Sequence, residues 1–208
     1  MECIRYRMET HSVNPRTRPT RRKLASARVQ LDRGNWIESA IEVLARDGLG
    51  GLRIEVLAKR CGVTKGSFYW HFKDRQDLLT AMLEYWKEGR IRDIEKTTSV
   101  TPGREREQLH FAIEVYGASR NRKGMAIELA VRDWARRDPQ AAAIVEAVDL
   151  YRLECTRKLF VAAGMTDADA KSRSLLLYAC VFGLSLMHYA HFDAHLEDLK
   201  QRIADRIV

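Results

Sequence analysis

Residues 54–75 read Ile54-Glu55-Val56-Leu57-Ala58-Lys59-Arg60-Cys61-Gly62-Val63-Thr64-Lys65-Gly66-Ser67-Phe68-Tyr69-Trp70-His71-Phe72-Lys73-Asp74-Arg75. Ile54 to Arg60 is a short helical segment with Val56, Leu57 and Ala58 available for burial. It stops at Gly62, the residue type that suits a left-handed helix end. Thr64 then opens a second short helix as its N-cap. Two helices joined by a tight turn make a helix-turn-helix arrangement. Phe68 and Phe72 sit four apart and are expected in the core of this small module, whereas Trp70 is equally compatible with the core and with the outer surface.

The pattern extends in both directions. Upstream, Trp36, Ile37, Ala40, Ile41, Val43 and Leu44 predict an amphipathic helix that begins after Asn35 as N-cap and ends at Gly48. Downstream, Asp74 and Asp77 start a long helix whose stripe is Leu78, Leu79, Met82, Leu83 and Trp86. The rest keeps a helical period, with no repeat and no strand pair. Helices are expected at about 103–119, 124–136, 139–163, 167–192 and 196–206. Thr101-Pro102 and Asp138-Pro139 both read as an N-cap followed by Pro at the first helical position. Thr166 with Asp169 resembles a capping box.

Charge is distributed as unevenly as structure. Residues 1–28 hold eight Lys/Arg against Glu2 and Glu9, residues 29–73 hold seven against five acids, and residues 74–208 hold 21 of each sign. The whole +8 excess therefore lies in the first third. A basic arm, a basic small module and a neutral body form the charge layout of a nucleic-acid reader attached to something else, although an anionic membrane surface would attract the same arm. Residues 1–29 contain Pro15 and Pro19, lack periodicity, and are expected to be a disordered arm. Cys3, Cys61, Cys155 and Cys180 show no metal-ligand or redox spacing, which excludes a zinc ribbon and points to reduced thiols in a cytoplasmic protein. The longest apolar run, Leu175 to Met187, has 13 residues and is too short to cross a membrane.

Over about residues 30–90 the sequence resembles the DNA-binding domain of TetR/AcrR-type transcriptional regulators. The Ala58-x-x-x-Gly62-Val63 turn, the segment Lys65-Gly66-x-x-Tyr69-x-His71-Phe72-Lys73 and the acidic start of the next helix carry the resemblance. It implies an all-α protein: an N-terminal three-helix helix-turn-helix DNA-binding domain at 30–90, with its motif at about 53–72, then a larger helical effector-binding and dimerisation domain at 91–208. It further implies a homodimer on a near-palindromic operator in double-stranded DNA, released by a small-molecule effector of unknown class, without cofactor or membrane. Arg53, Thr64, Lys65, Gly66, Ser67, Tyr69, Trp70, His71 and Lys73 are the DNA-facing positions by this resemblance. Their chemistry agrees: Lys65 can reach a guanine edge or a phosphate, Gly66 leaves the backbone open to close approach, and Tyr69 and His71 can donate to phosphate oxygens.

Candidate functional residues in the body are less sharply marked. Phe111, Tyr116, Met125, Trp134, Tyr151, Phe160, Tyr178 and Phe182 are candidate effector contacts, but a core needs the same residue types. Ser172, Ala179, Gly183 and Ala190 share a small-residue face with Leu175, Leu176, Leu186 and Met187 beside it; this suits an isologous dimer interface or an ordinary helix contact. His188, His191 and His195 would line one helical face if the helix continued that far, which could offer nitrogen to a metal; no metal is expected. No nucleophile elbow, zinc-protease pair, phosphate loop or dinucleotide fingerprint is present, so an enzyme is not expected. The alternatives to a repressor are an activator, or a helical interaction protein that keeps the helix-turn-helix only as a fold.

Overall fold

The computed structural model of the chain describes residues 31–117 and 122–208. The basic arm at 1–29 lies outside the described residues. All regular structure among them is helical: α1 Arg33–Asp47, a 3-10 turn Leu49–Gly51, α2 Ile54–Arg60, α3 Lys65–Phe68, α4 Arg75–Thr98, α5 Glu105–Gly117, α6 Arg122–Ala135, α7 Pro139–Ala162, α8 Asp167–Leu186 and α9 Leu196–Ile207.

Helix starts follow local chemistry, with two corrections to the sequence reading. The N-cap of α1 is Asp32 rather than Asn35. Asp32 Oδ1 accepts from the Asn35 amide at 2.7 Å and Asn35 Oδ1 accepts from the Asp32 amide at 3.2 Å, so Asn35 closes a reciprocal capping box from the third helical position. Thr101-Pro102 does not open α5. The Arg104 amide donates to the Thr101 carbonyl at 3.1 Å and Gly103 has φ +90°, so Pro102 and Gly103 occupy the middle of a tight turn, and α5 begins at Glu105. Elsewhere the expected caps are in place: Asp74 accepts from the Asp77 amide, Asp138 from Gln140 and Ala141, and Thr166 from Asp169.

One expected helix is too long. α8 stops at Leu186, with Met187 extended at φ −88°, ψ 147°, and the next helix begins only at Leu196. His188, Tyr189, His191, Phe192 and Asp193 are weak helix formers, and Asp193 Oδ1 instead accepts the His195 amide at 2.6 Å. His188, His191 and His195 therefore do not share a helical face. Among the described residues no group of three or more His, Cys, Asp or Glu is placed to hold a metal ion.

Packing joins the small module to the body without a break. Trp36, Leu44, Leu57, Phe68, Phe72, Leu78, Met82 and Trp86 lie in one buried cluster with Val131 and Trp134 of α6 and with Val145 and Val148 of α7. A second cluster holds Leu109, Leu159, Phe160, Leu177, Tyr178, Val181 and Ile207. α7 is the axis of the body, packed against α4, α5, α6 and α8, while α6 also lies on α1. No described helix is long and apolar enough to cross a membrane.

Candidate nucleic-acid interface

α1, α2 and α3 form a tripod around Phe68. The Phe68 ring meets Trp36 edge-on at 5.5 Å between centroids and stacks on Phe72 at 5.2 Å, and both phenylalanines are fully buried. This anchors α3 from beneath. Between α2 and α3 the chain reverses at Gly62, whose φ of +68° would strain any residue with a Cβ. Arg75, the first residue of α4, clamps the loop after α1: Nε donates to the Leu52 carbonyl at 2.7 Å and Nη2 to that of Leu49 at 3.2 Å.

With Phe68 turned inward, the rest of α3 and the turn after it face outward. Trp70 is 87% exposed, which decides between its two readings: it does not pack against α1. Tyr69 is 52% exposed. Arg53, Thr64, Lys65, Gly66 and Lys73 are also exposed, and Ser67 and His71 are partly so. All nine residues expected at the interface thus lie on accessible surface of one small module. A Cβ at Gly66 would meet only Thr64 Oγ1 at 3.7 Å, so the fold itself does not require glycine there. Arg53 is the N-cap of α2, in extended conformation and without a capping hydrogen bond from its own side chain.

Among the described residues, several charged constellations join positions that the sequence reading does not pair, and three of them bear on the reading head and the body. Lys65 Nζ lies 2.5 Å from Glu55 Oε1, joining the two helices of the motif. Glu42 of α1 accepts from Arg60 Nη2 of α2 and Lys123 Nζ of α6, both at 2.8 Å, and these two cations hold its carboxyl below the ordinary range. A groove of about 280 Å³ runs beside this bridge, floored by Ala45, Ala126 and Ile127. In the body, Glu128 and Arg152 are each 3% exposed. Arg132 Nη2 donates to Glu128 at 2.8 Å and to Asp149 at 2.6 Å, and Arg152 Nη1 reaches Asp149 at 3.1 Å and Glu128 at 3.3 Å. The Arg132 guanidinium also lies over the Phe182 ring, 4.1 Å from its centroid. Partners in these constellations are 3 to 81 residues apart, and only the Glu128–Arg132 and Asp149–Arg152 spacings are helical signals a sequence displays.

The candidate effector residues do not converge on one place. Tyr178 is buried and its hydroxyl pairs with Thr156 Oγ1 at 3.0 Å; Phe182 and Met125 are partly buried against the second cluster. Trp134 belongs to the first cluster. Phe111 is largely exposed, and Tyr151 donates to Glu95 Oε1 at 2.9 Å, an acceptor that pushes its hydroxyl up to about 12. Tyr116 lies on α5, and Phe160 is buried in the second cluster. On α8, Ser172, Leu175, Leu176, Ala179 and Leu186 are exposed and Gly183 is partly so; Met187 and Ala190 follow the helix end, also exposed.

Comparison with known proteins agrees with this geometry. Residues 37–82 match the family model of bacterial regulatory proteins, tetR family. The chain is 28% identical over 193 residues to the HTH-type transcriptional regulator AcrR of Shigella flexneri, covering 86% of each chain. Over 55 residues it is 42% identical to the tetracycline repressor protein class C of Escherichia coli, 26% of this chain and 25% of that one. A transcriptional regulator from Saccharomonospora viridis, crystallised in complex with choline, shares the fold with a TM-score of 0.68 at 18% identity, over 84% of this chain and 94% of that one. These relatives are regulators, not enzymes. With an exposed surface on residues 53–73 and a helical body behind it, the chain carries a helix-turn-helix domain that matches the tetR family of bacterial regulatory proteins and is similar over most of its length to a TetR/AcrR-type transcriptional regulator.

Proposed function

We propose that the protein is a cytoplasmic, homodimeric repressor that holds a near-palindromic operator and leaves it when a small molecule binds the body at 91–208. The observation that carries this reading is the outward display of Arg53, Lys65, Tyr69, Trp70 and Lys73 from a module whose core is continuous with that body. Tyr69, His71 and Lys73 fix the register on phosphates, while Thr64, Lys65 and Ser67 at the start of α3 reach base edges. The close approach that Gly66 permits is left to DNA, since among the described residues a Cβ there would meet only Thr64 Oγ1, at 3.7 Å.

Dimerisation is assigned to α8. Leu175 and Leu186 are 63% and 64% exposed, and with Leu176, Ala179 and Gly183 they offer a self-complementary apolar face to a second copy. Two reading heads related by that two-fold axis would address half-sites about 34–36 Å apart, or a multiple of this. The effector acts by selecting a head separation that no longer matches DNA. Tyr178 and Phe182, next to the Glu128–Arg132–Asp149–Arg152 group, are the favoured effector contacts, and α6 passes the change to α1 through Lys123 and Glu42. Ligand binding in the structurally similar regulator that holds choline supports a body of this kind as a receptor.

The test is a fluorescence-anisotropy titration of labelled DNA from the region upstream of the coding sequence, with wild type and Tyr69→Ala, at two salt concentrations. Tight, salt-sensitive binding that Tyr69→Ala loses on every DNA supports the reading. Binding that is insensitive to both salt and substitution refutes it.

A further inference from the structure

The Glu55–Lys65 pair lies on the surface assigned to DNA and has no evident structural duty. Its side chains are 63% and 50% exposed, so the ion pair adds little to folding stability. Its cost lies elsewhere: a carboxylate at the rim of a DNA-binding face is repelled by every phosphate that approaches. A repulsive group adds specificity where it lowers affinity for the wrong DNA more than for the right one.

The geometry shows how. Lys65 is the first residue of α3 and Glu55 sits on the first turn of α2, so the 2.5 Å contact spans the turn of the motif and fixes the ammonium beside a carboxylate. The pairing holds the Glu55 carboxyl below its ordinary range and the Lys65 ammonium above its own, the hydrogen bond between them being the main cause of each. An ammonium has three donors. While it keeps Glu55, Lys65 still has donors for a neutral acceptor edge, and guanine O6 and N7 in the major groove are the chemical match. A phosphate brought to the same ammonium meets the carboxylate as well. To serve a phosphate, Lys65 must leave Glu55, exchanging one anion for another and stranding a carboxylate against the DNA backbone.

We propose that Glu55 is a specificity-determining residue of the reading head, which withholds Lys65 from phosphates and confines it to base edges. The assignment rests on the reading of α3 as the DNA-contacting helix. Its effect is to depress binding to random sequence more than binding to an operator.

The experiment uses the full chain, as wild type, E55Q, K65A, the double variant E55Q/K65A, and Tyr69→Ala. Two duplexes serve as probes: the strongest sequence recovered by wild-type selection from random DNA, and a scrambled duplex of the same composition. Each is titrated between about 50 and 200 mM salt. In E55Q the freed lysine gains one phosphate, so the log–log salt slope on scrambled DNA steepens by about 0.9, and affinity across that range falls about 3.5-fold more than in wild type. The selected-to-scrambled ratio drops by about 5-fold or more, the lower end of one base contact's worth of discrimination. In the K65A background, E55Q leaves the slope unchanged. A selective wild type whose E55Q variant keeps both slope and ratio overturns the Glu55 assignment alone. So does a loss of selectivity in E55Q that persists with K65A, because Glu55 would then touch a base itself. A wild type that binds both duplexes alike, with no loss on Tyr69→Ala, overturns the DNA-reading assignment and this one with it.

Discussion

Replacing Glu128 by Met isolates what the buried charges of the body contribute. Glu128 and Arg152 are each 3% exposed, and Glu128 Oε1 takes bonds from both Arg132, at 2.8 Å, and Arg152, at 3.3 Å. Without that carboxylate, two guanidiniums share Asp149 as their remaining acid in this group, and one of them is sealed from water. Removing one partner of a buried pair costs about 3–5 kcal/mol. For a chain of this length that lowers the melting temperature by about 6–20 °C, at about 2–4 °C per kcal/mol. The sharper expectation concerns the double variant Glu128→Met/Arg152→Met. It leaves Arg132 with Asp149, one charge of each sign, and fills the vacated space with two flexible apolar chains. It should be more stable than Glu128→Met alone by at least about 1 kcal/mol, because a balanced apolar replacement of a buried pair is often neutral. Urea denaturation at fixed protein concentration, with equal m-values, gives the comparison. A double variant that loses the sum of the two single losses would refute the argument that the charges act as one group.

Other expectations follow from single contacts. Phe68→Ala should cost about 3–5 kcal/mol by urea titration and abolish DNA binding, while Trp70→Ala should stay within about 0.5 kcal/mol of wild type and weaken binding alone. Leu175→Glu with Leu176→Glu, on the exposed face of α8, should shift sedimentation velocity from dimer to monomer without loss of helical circular dichroism. Glu42→Gln should remove an acid-sensitive contribution. The Glu42 carboxyl is held below its ordinary value of 4.5, so the stability it adds is present above that value and is lost as pH falls through the lower, folded one. Comparing urea midpoints of wild type and Glu42→Gln at neutral and acid pH should show the difference shrinking on acidification.

The helix-turn-helix was legible because its signals are local. Gly62 announces a left-handed turn, Phe68 and Phe72 share a face by their spacing, and Asp74 and Asp138 cap helices with their own carboxylates. Where the reading missed, two local solutions competed. Thr101-Pro102 suits a cap or a turn, and Gly103 tips it to the turn. The tract 187–195 continues the apolar character of α8, yet its residue types give up the helix. The ion pairs were illegible for a different reason. Lys123 meets Glu42 across 81 residues, and only the packing of α6 on α1 brings them together. Glu55 and Lys65 meet only once the turn at Gly62 has folded, so their contact is not a signal the sequence displays.

The exposure of Trp70 gives the reading head an optical signature of its own. The chain has four tryptophans, of which Trp36, Trp86 and Trp134 are at most 4% exposed and Trp70 is 87% exposed. An aqueous quencher such as acrylamide will therefore reach one indole in four, and that indole stands on the surface assigned to DNA. Protection from quenching reports occupancy of this face without any label, and a Trp70→Phe variant supplies the silent background. The three sealed indoles keep their blue emission until the core opens, so one cuvette separates release of DNA from loss of the fold.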